Sequence, residues 1–283
     1  MKREYRFTNL QNEITCCDLY FPQKAASQST NKVPLVLLIH GFRAFKDWGF
    51  FPYFSQKLTE AGYISSSIDF SLNTLLDRQK SLFDMERFAR NTVSQEISEI
   101  NTFIQHIISG KVLTAEESNT WNGDIYLVGH SLGGALAIIV ADSNTSVKKL
   151  VTINSIFDFD IYTEKQKKKW FELGLKEFYD NSTQQLFRLN LEFLTDRLTY
   201  VGEKSVAAAV SRLEIPYLII HGDIDATVSP KAANILYEAS NKSLSRLEFI
   251  KHGNHTFGIK HPFEKSNHIL DTTIDLTINF FNS

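Results

Sequence analysis

The stretch Ile125-Tyr-Leu-Val-Gly-His-Ser-Leu-Gly-Gly-Ala-Leu-Ala-Ile-Ile-Val-Ala141 decides how this chain reads. Its first four residues form a short apolar run preceded by the turn-forming pair Asn122-Gly123, as expected of a strand buried on both faces. Leu132 to Ala141 is apolar and of helical length. Between the two, Gly129-His-Ser-Leu-Gly133 places a serine in the joint, and Gly134 follows. A strand that turns at once into a helix leaves no room for side chains beside the turn, which accounts for the glycines and lifts the serine hydroxyl above the sheet. Ser131 is therefore the candidate nucleophile.

Upstream, residues 4–8 and 14–21 alternate in polarity about a turn at 9–12 and predict an antiparallel hairpin. Residues 25–32 are polar and are expected to form an exposed loop. Val33-Pro-Leu-Val-Leu-Leu-Ile39 is continuously apolar, the pattern of a central strand. Asp47 is expected to cap a helix running through Trp48, Phe51, Phe54 and Leu58 to a stop at Gly62. Residues 63–70 read as the next strand. Apolar residues at 93, 97, 100, 104 and 107 predict one face of a long helix over 85–109.

Downstream, residues 147–156, 215–221 and 247–251 read as strands, and spacing at Leu270, Ile274, Ile278 and Phe281 as a closing helix. Buried strands alternating with helices predict an α/β fold: a mostly parallel central sheet flanked by helices. The chain is expected to be one domain over 1–283, interrupted by a helical cap insertion at about 158–213, where no convincing strand is seen. Phe157, Phe159, Trp170, Phe171, Phe178 and Tyr179 lie at or within this insertion. They are expected either to bury the cap against the body or to roof an apolar pocket.

A serine hydroxyl needs a base to activate it, and the base needs an acid to orient it. In strand–turn–helix sites of this kind the order along the chain is serine, acid, histidine. His221-Gly-Asp223-Ile-Asp225-Ala-Thr-Val228 ends one predicted strand, and His252-Gly-Asn-His255 follows the last. Asp223 competes with Asp225, and His252 with His255. His221 reads as a core histidine at a strand end. The pair His252-x-x-His255 has no acidic or cysteine partner at ligand spacing, so no metal and no other cofactor is expected. The tetrahedral intermediate of acyl transfer needs two backbone donors. Leu132, after the serine, supplies one candidate N–H; Phe42, after His40-Gly41 at the end of the first central strand, supplies the other.

His40-Gly41, Gly129-His-Ser131-Leu-Gly133-Gly134, Gly222-x-x-Asp225-x-x-Val228 and Gly253-x-His255 together resemble the α/β-hydrolase superfamily. The run His40-Gly-Phe-Arg-Ala-Phe-Lys46-Asp-Trp48 is similar to the branch of cinnamoyl (feruloyl) esterases and dienelactone-hydrolase-like bacterial proteins. The resemblance extends over roughly residues 7–280. It implies a Ser131–His255–Asp225 triad, although Gly253-Asn-His255 is one residue shorter than the usual spacing. It also implies cleavage of carboxylic esters, with short acyl or aryl-acyl groups, through an acyl-serine. A peptidase, a C–C bond hydrolase and a non-catalytic binding protein of the same fold are the competing readings.

The 283 residues are 43% hydrophobic, 22% charged and 12% aromatic, values that argue against disorder and coiled coil. Thirty basic residues against thirty-two acidic ones leave a formal charge of −2. Neither nucleic acid nor a membrane surface is expected as a partner; the expected partner is a small ester. Cys16 and Cys17 adjoin, which disfavours a disulfide framework. No apolar stretch of signal length follows Met1–Arg6, so a cytoplasmic location is expected.

Overall fold

The computed structural model describes residues 1–22, 32–181 and 183–283; the loop expected at 25–32 lies outside them except for Lys32. β1 (Lys2–Thr8) and β2 (Ile14–Tyr20) form the first hairpin. Its turn is built on Asn9, whose Oδ1 accepts from the N–H groups of Gln11 and Glu13, both at 2.9 Å. There follow β3 (Val33–Ile39), α1 (Phe51–Glu60), β4 (Ile64–Asp69) and a small hairpin of β5 (Leu75–Asp77) and β6 (Leu82–Phe83). α2 (Met85–Phe88), α3 (Val93–Ile108) and α4 (Ala115–Ser118) lead into β7 (Trp121–His130), α5 (Leu132–Ser143) and β8 (Val147–Ile153). Above the sheet sit α6 (Glu164–Leu173), β9 (Leu175–Asp180), β10 (Gln185–Asn190) and α7 (Leu191–Arg197). α8 (Val206–Arg212), β11 (Tyr217–Gly222), α9 (Lys231–Ala239), β12 (Ser245–Ile250) and α10 (His268–Asn282) complete the chain.

The main sheet has eight strands in the order β1-β2-β4-β3-β7-β8-β11-β12. β2 is antiparallel to both β1 and β4, and every other pairing is parallel. Parallel strands need helical crossovers, so helices cover both faces and the central strands are apolar throughout. One face packs against α3, α5, α8 and α9 through residues such as Ile100, Ile104, Leu136 and Leu236. The other packs against α1 and α10 through Phe51, Phe54, Leu58, Ile274 and Phe281. Each such side chain contributes about 1.5–3 kcal/mol when fully buried. Among the described residues, no helix is long and apolar enough to cross a membrane.

Several expectations are corrected. The helix over 85–109 is two helices, because the chain breaks before Thr92, whose side chain caps α3 by accepting from Gln95 N–H at 3.2 Å. Asp47 caps nothing. α1 begins after Phe50 with a proline in its first turn, and the Asp47 carboxylate instead accepts from Lys46 Nζ at 2.7 Å. The Asn122-Gly123 turn is absorbed into β7, where Gly123 takes φ +98°.

The insertion at 158–213 is not wholly helical. β9 and β10 form an antiparallel hairpin with Phe178 opposite Phe187. β10 buries Phe187 and Leu189 on one face and exposes Leu186 and Arg188 on the other, a period-two pattern masked in sequence because the outward Leu186 is apolar and the inward Gln185 polar. α8, inside the expected cap, packs on the body through Val206, Ala209 and Val210.

Candidate active site

β7 ends at His130 and α5 starts at Leu132, so Ser131 alone makes the turn, at φ 58° and ψ −120°. A non-glycine residue holds such a conformation only when its surroundings over-determine it. Here a Cβ on Gly129 would strike the backbone of Gly133 and Gly134, and one on Gly133 would strike that of Ile39 and His40. The glycines thus let β3, β7 and α5 converge beneath the serine.

Asp225 lies in the connection from β11 to α9, and His255 in that from β12 to α10. His255 Nε2 lies 3.0 Å from Ser131 Oγ, and His255 Nδ1 lies 2.7 Å from Asp225 Oδ2. The other Asp225 oxygen accepts from the N–H groups of Thr227 and Val228 at 2.8 and 3.0 Å. Burial alone would raise this carboxyl, but the contact with His255 and the two backbone donors outweigh it and hold the carboxyl below its ordinary range. Asp223 and His252 are both exposed, away from this line. His221, buried as expected, donates from Nε2 to Val228 O at 2.9 Å and backs Asp225 at 3.6 Å. Both ring nitrogens of His255 are engaged, and no cluster of three or more metal-ligating side chains occurs among the described residues.

Two residues that the sequence reading did not single out hold the histidine loop. Asn154, at the end of β8, takes φ 50°, a conformation asparagine adopts more readily than most residues. Its Nδ2 donates to Asn254 O at 3.2 Å and His255 O at 2.9 Å, while its Oδ1 accepts from Gly222 N–H at 2.8 Å. His130 donates from Nε2 to the same His255 carbonyl at 2.8 Å. Burial, reinforced by neighbouring His255, pushes the His130 imidazole down to about 3 and keeps it neutral. The only cue was the position of Asn154, at the C-terminal end of a parallel strand where such sheets place their sites.

The backbone at 40–42 lies against the serine. A Cβ on Gly41 would stand 2.8 Å from Ser131 Cβ and 3.3 Å from its Oγ. Phe42 follows at once, and Leu132 opens α5 with one of the N–H groups a helix leaves unpaired in its first turn. The segment is pinned from below: Lys46 N–H donates to Asp69 at 2.7 Å, and Lys46 Nζ to Asp18 at 2.7 Å.

Ser131 and His255 floor a cleft of about 800 Å³. Its walls are three turns: Gln79–Ser81 between β5 and β6, Thr183–Gln184 between β9 and β10, and the segment from Thr256 to His261. Arg43 lines it too, bonded to Asp180 of the cap hairpin. The apolar roof of cap aromatics is absent. Phe159 and Trp170 are buried in cores, Phe178 stacks on Phe187 at 5.3 Å, and Phe157, Phe171 and Tyr179 face outward. Phe42, Trp48 and Ile259 are the large apolar side chains that do line the cleft.

The sequence matches no known family model and no curated protein. Solved structures do match. Est1E from Butyrivibrio proteoclasticus, with ferulic acid bound, superposes with a TM-score of 0.73 at 17% identity, covering 98% of each chain. A putative hydrolase from Agrobacterium vitis S4 gives 0.73 at 15% over 99% of each. Mouse alpha/beta hydrolase domain-containing protein 10 gives 0.72 at 14%, over 99% of this chain and 98% of that one. With topology and superposition in agreement, this chain has the α/β-hydrolase fold.

Proposed function

We propose that the protein is a serine hydrolase that cleaves small carboxylic esters through an acyl-serine intermediate. The observation that carries this reading is the unbroken line from Ser131 Oγ through His255 to Asp225 on the floor of an open cleft. In the proposed reaction His255 Nε2 takes the Ser131 proton as Oγ attacks the ester carbonyl carbon. Asp225 fixes the imidazole with its proton on Nδ1 and stabilises the imidazolium that forms. The N–H groups of Phe42 and Leu132 receive the oxyanion. The imidazolium then protonates the departing alkoxide, and water enters by the same steps in reverse to release the acid and restore Ser131.

Phe42, Trp48 and Ile259 offer an apolar footing for a short or aromatic acyl group. Labelling with a fluorophosphonate and turnover of a panel from p-nitrophenyl acetate to palmitate, with methyl ferulate and aminoacyl amides, tests the reading. Wild type should label and favour the smaller esters, and Ser131→Ala should lose about 10⁶-fold in turnover with the fold intact. A variant keeping a tenth of wild-type turnover, or a protein that ignores the probe, sinks the proposal; preference for amides would move it to the peptidases.

A further inference from the structure

We infer that the ester cleaved at this cleft carries a carboxylate away from the scissile bond; this rests on the reading of Ser131 as nucleophile. The charges on the cleft wall point to it. Arg43, Lys80 and Lys260 line the cavity, against one carboxylate, Asp180. The chain as a whole has a formal charge of −2, so this concentration of positive charge does not follow from composition. With the cap aromatics packed elsewhere, these cations stand on the cleft wall beside Phe42, Trp48 and Ile259.

Arg43 is held as a binding group would be. It directly follows Phe42, so its backbone is fixed relative to the proposed oxyanion donor. Its guanidinium lies 5.8, 5.7 and 5.7 Å from the ring centres of Phe42, Phe178 and Phe187. Asp180 engages one terminal nitrogen, and the side chain as a whole remains 39% exposed. A guanidinium has five N–H donors in a planar fork that fits a carboxylate, so one ion pair does not exhaust it. Asp180 balances a single charge and leaves the lysines in excess. Among the described residues Lys80 pairs only with Asp77, at 3.8 Å and with its side chain largely exposed, a pairing that contributes little. Lys260 has no ion pair among the described residues. Like charges around a cleft raise the local concentration of oppositely charged ligands and speed their capture about 10–10³-fold, an effect that salt screens.

Two pairs of esters matched in shape test this. Monoethyl adipate is compared with ethyl 6-methylheptanoate, in which an isopropyl group replaces the carboxylate on the acyl side. Acetoxybenzoate (para) is compared with para-isopropylphenyl acetate, which makes the same change in the leaving group. kcat/KM is measured at low ionic strength and again at about 0.5 M salt. In at least one pair the anionic ester should be favoured about tenfold or more, with the preference shrinking in salt. Lys80→Glu with Lys260→Glu, both at exposed positions, should collapse the ratio of anionic to neutral rates. Neutral esters cleaved as well as or better than their anionic partners in both pairs, or a preference indifferent to salt and to charge reversal, overturns the inference and leaves the esterase reading standing. A protein that cleaves neither kind and ignores the fluorophosphonate overturns that reading and the inference with it.

Discussion

Asp223 and Asp225 stand two positions apart at the end of β11, yet only Asp225 is buried beside His255. In Asp225→Asn the amide no longer favours the proton on Nδ1, and kcat for ester hydrolysis should fall about 10⁴-fold. Asp223→Asn, at an exposed position, should leave kcat within about twofold. The reverse ranking in steady-state assays would refute the assignment. Asn154 belongs to the same scale as a positioning residue. Asn154→Ala removes the donors to Asn254 O and His255 O and strands the Gly222 N–H. Leaving the buried Gly222 N–H unpaired costs about 1–3 kcal/mol, while His130 still donates to the His255 carbonyl. kcat should drop about 10–10²-fold with KM little changed, because the base is displaced while the cleft is not. Asn154→Asp, which keeps the acceptor for Gly222 but not the donors, should fall between. Equal kcat in all three proteins would show that the His255 loop holds itself.

Among the elements, the first turn of α3 carries the most unusual group. Glu96 is wholly buried, accepts from Asn91 Nδ2 at 2.7 Å, and faces Glu99 and Asp196 as well as the buried Arg197 of α7. Burial dominates and pushes its carboxyl from 4.5 up to about 8. A raised carboxyl keeps its proton in the fold where the unfolded chain has lost it. Its contribution is full below about pH 4.5 and is lost as pH rises to about 8. Glu96→Gln keeps the acceptor for Asn91 and removes the titration. Urea unfolding should show wild type losing up to a few kcal/mol relative to the variant between those limits, about 1.4 kcal/mol for each unit of the shift. Parallel pH profiles for the two proteins would mean that Glu96 stays ionised against Arg197. The same region shows where element reading fails: the 3.6-residue period from Val93 was legible, but a hydrophobic pattern does not register that Thr92 stops the backbone. The β9–β10 hairpin escaped for a related reason, since Leu175–Asp180 and Gln185–Asn190 are each six residues of mixed polarity and satisfy a helical and an extended template equally well.

At the scale of the molecule, three imidazoles are held neutral by burial. His40 and His221 are lowered from 6.5, and His130 falls to about 3. For a lowered histidine, the unfolded chain binds the proton first, so stability is present above about pH 6.5 and drains as pH falls. His130 alone should account for about 2 kcal/mol between pH 7 and pH 5. Asp225, held below its ordinary 3.8, acts in the same sense at still lower pH. Glu96, with its raised carboxyl, acts in the opposite sense over the same range, so the melts are compared between proteins: from pH 7 to pH 5 wild type should lose about 2 kcal/mol relative to His130→Asn or His130→Gln. Equal shifts of the melting temperature in wild type and in these variants across that range would contradict the burial of the His130 ring.

The sequence by itself determined the α/β alternation, the turn around Ser131 and the chain order of acid and base. These are local matters: side-chain periodicity records which faces are buried, and sterics admit only small residues where a strand meets a helix within one residue. It narrowed the acid to two residues and the base to two, and the resemblance chose the pair that the geometry brings together. Only the tertiary structure decided that Asn154 and His130 hold the His255 carbonyl, since those contacts join residues 101 and 125 positions apart. It also decided that the cap aromatics turn into cores and outward while three polar turns and Arg43 face the cleft. Ring-rich segments bury their rings wherever packing is densest, and a sequence does not say whether that is against a pocket or against another ring.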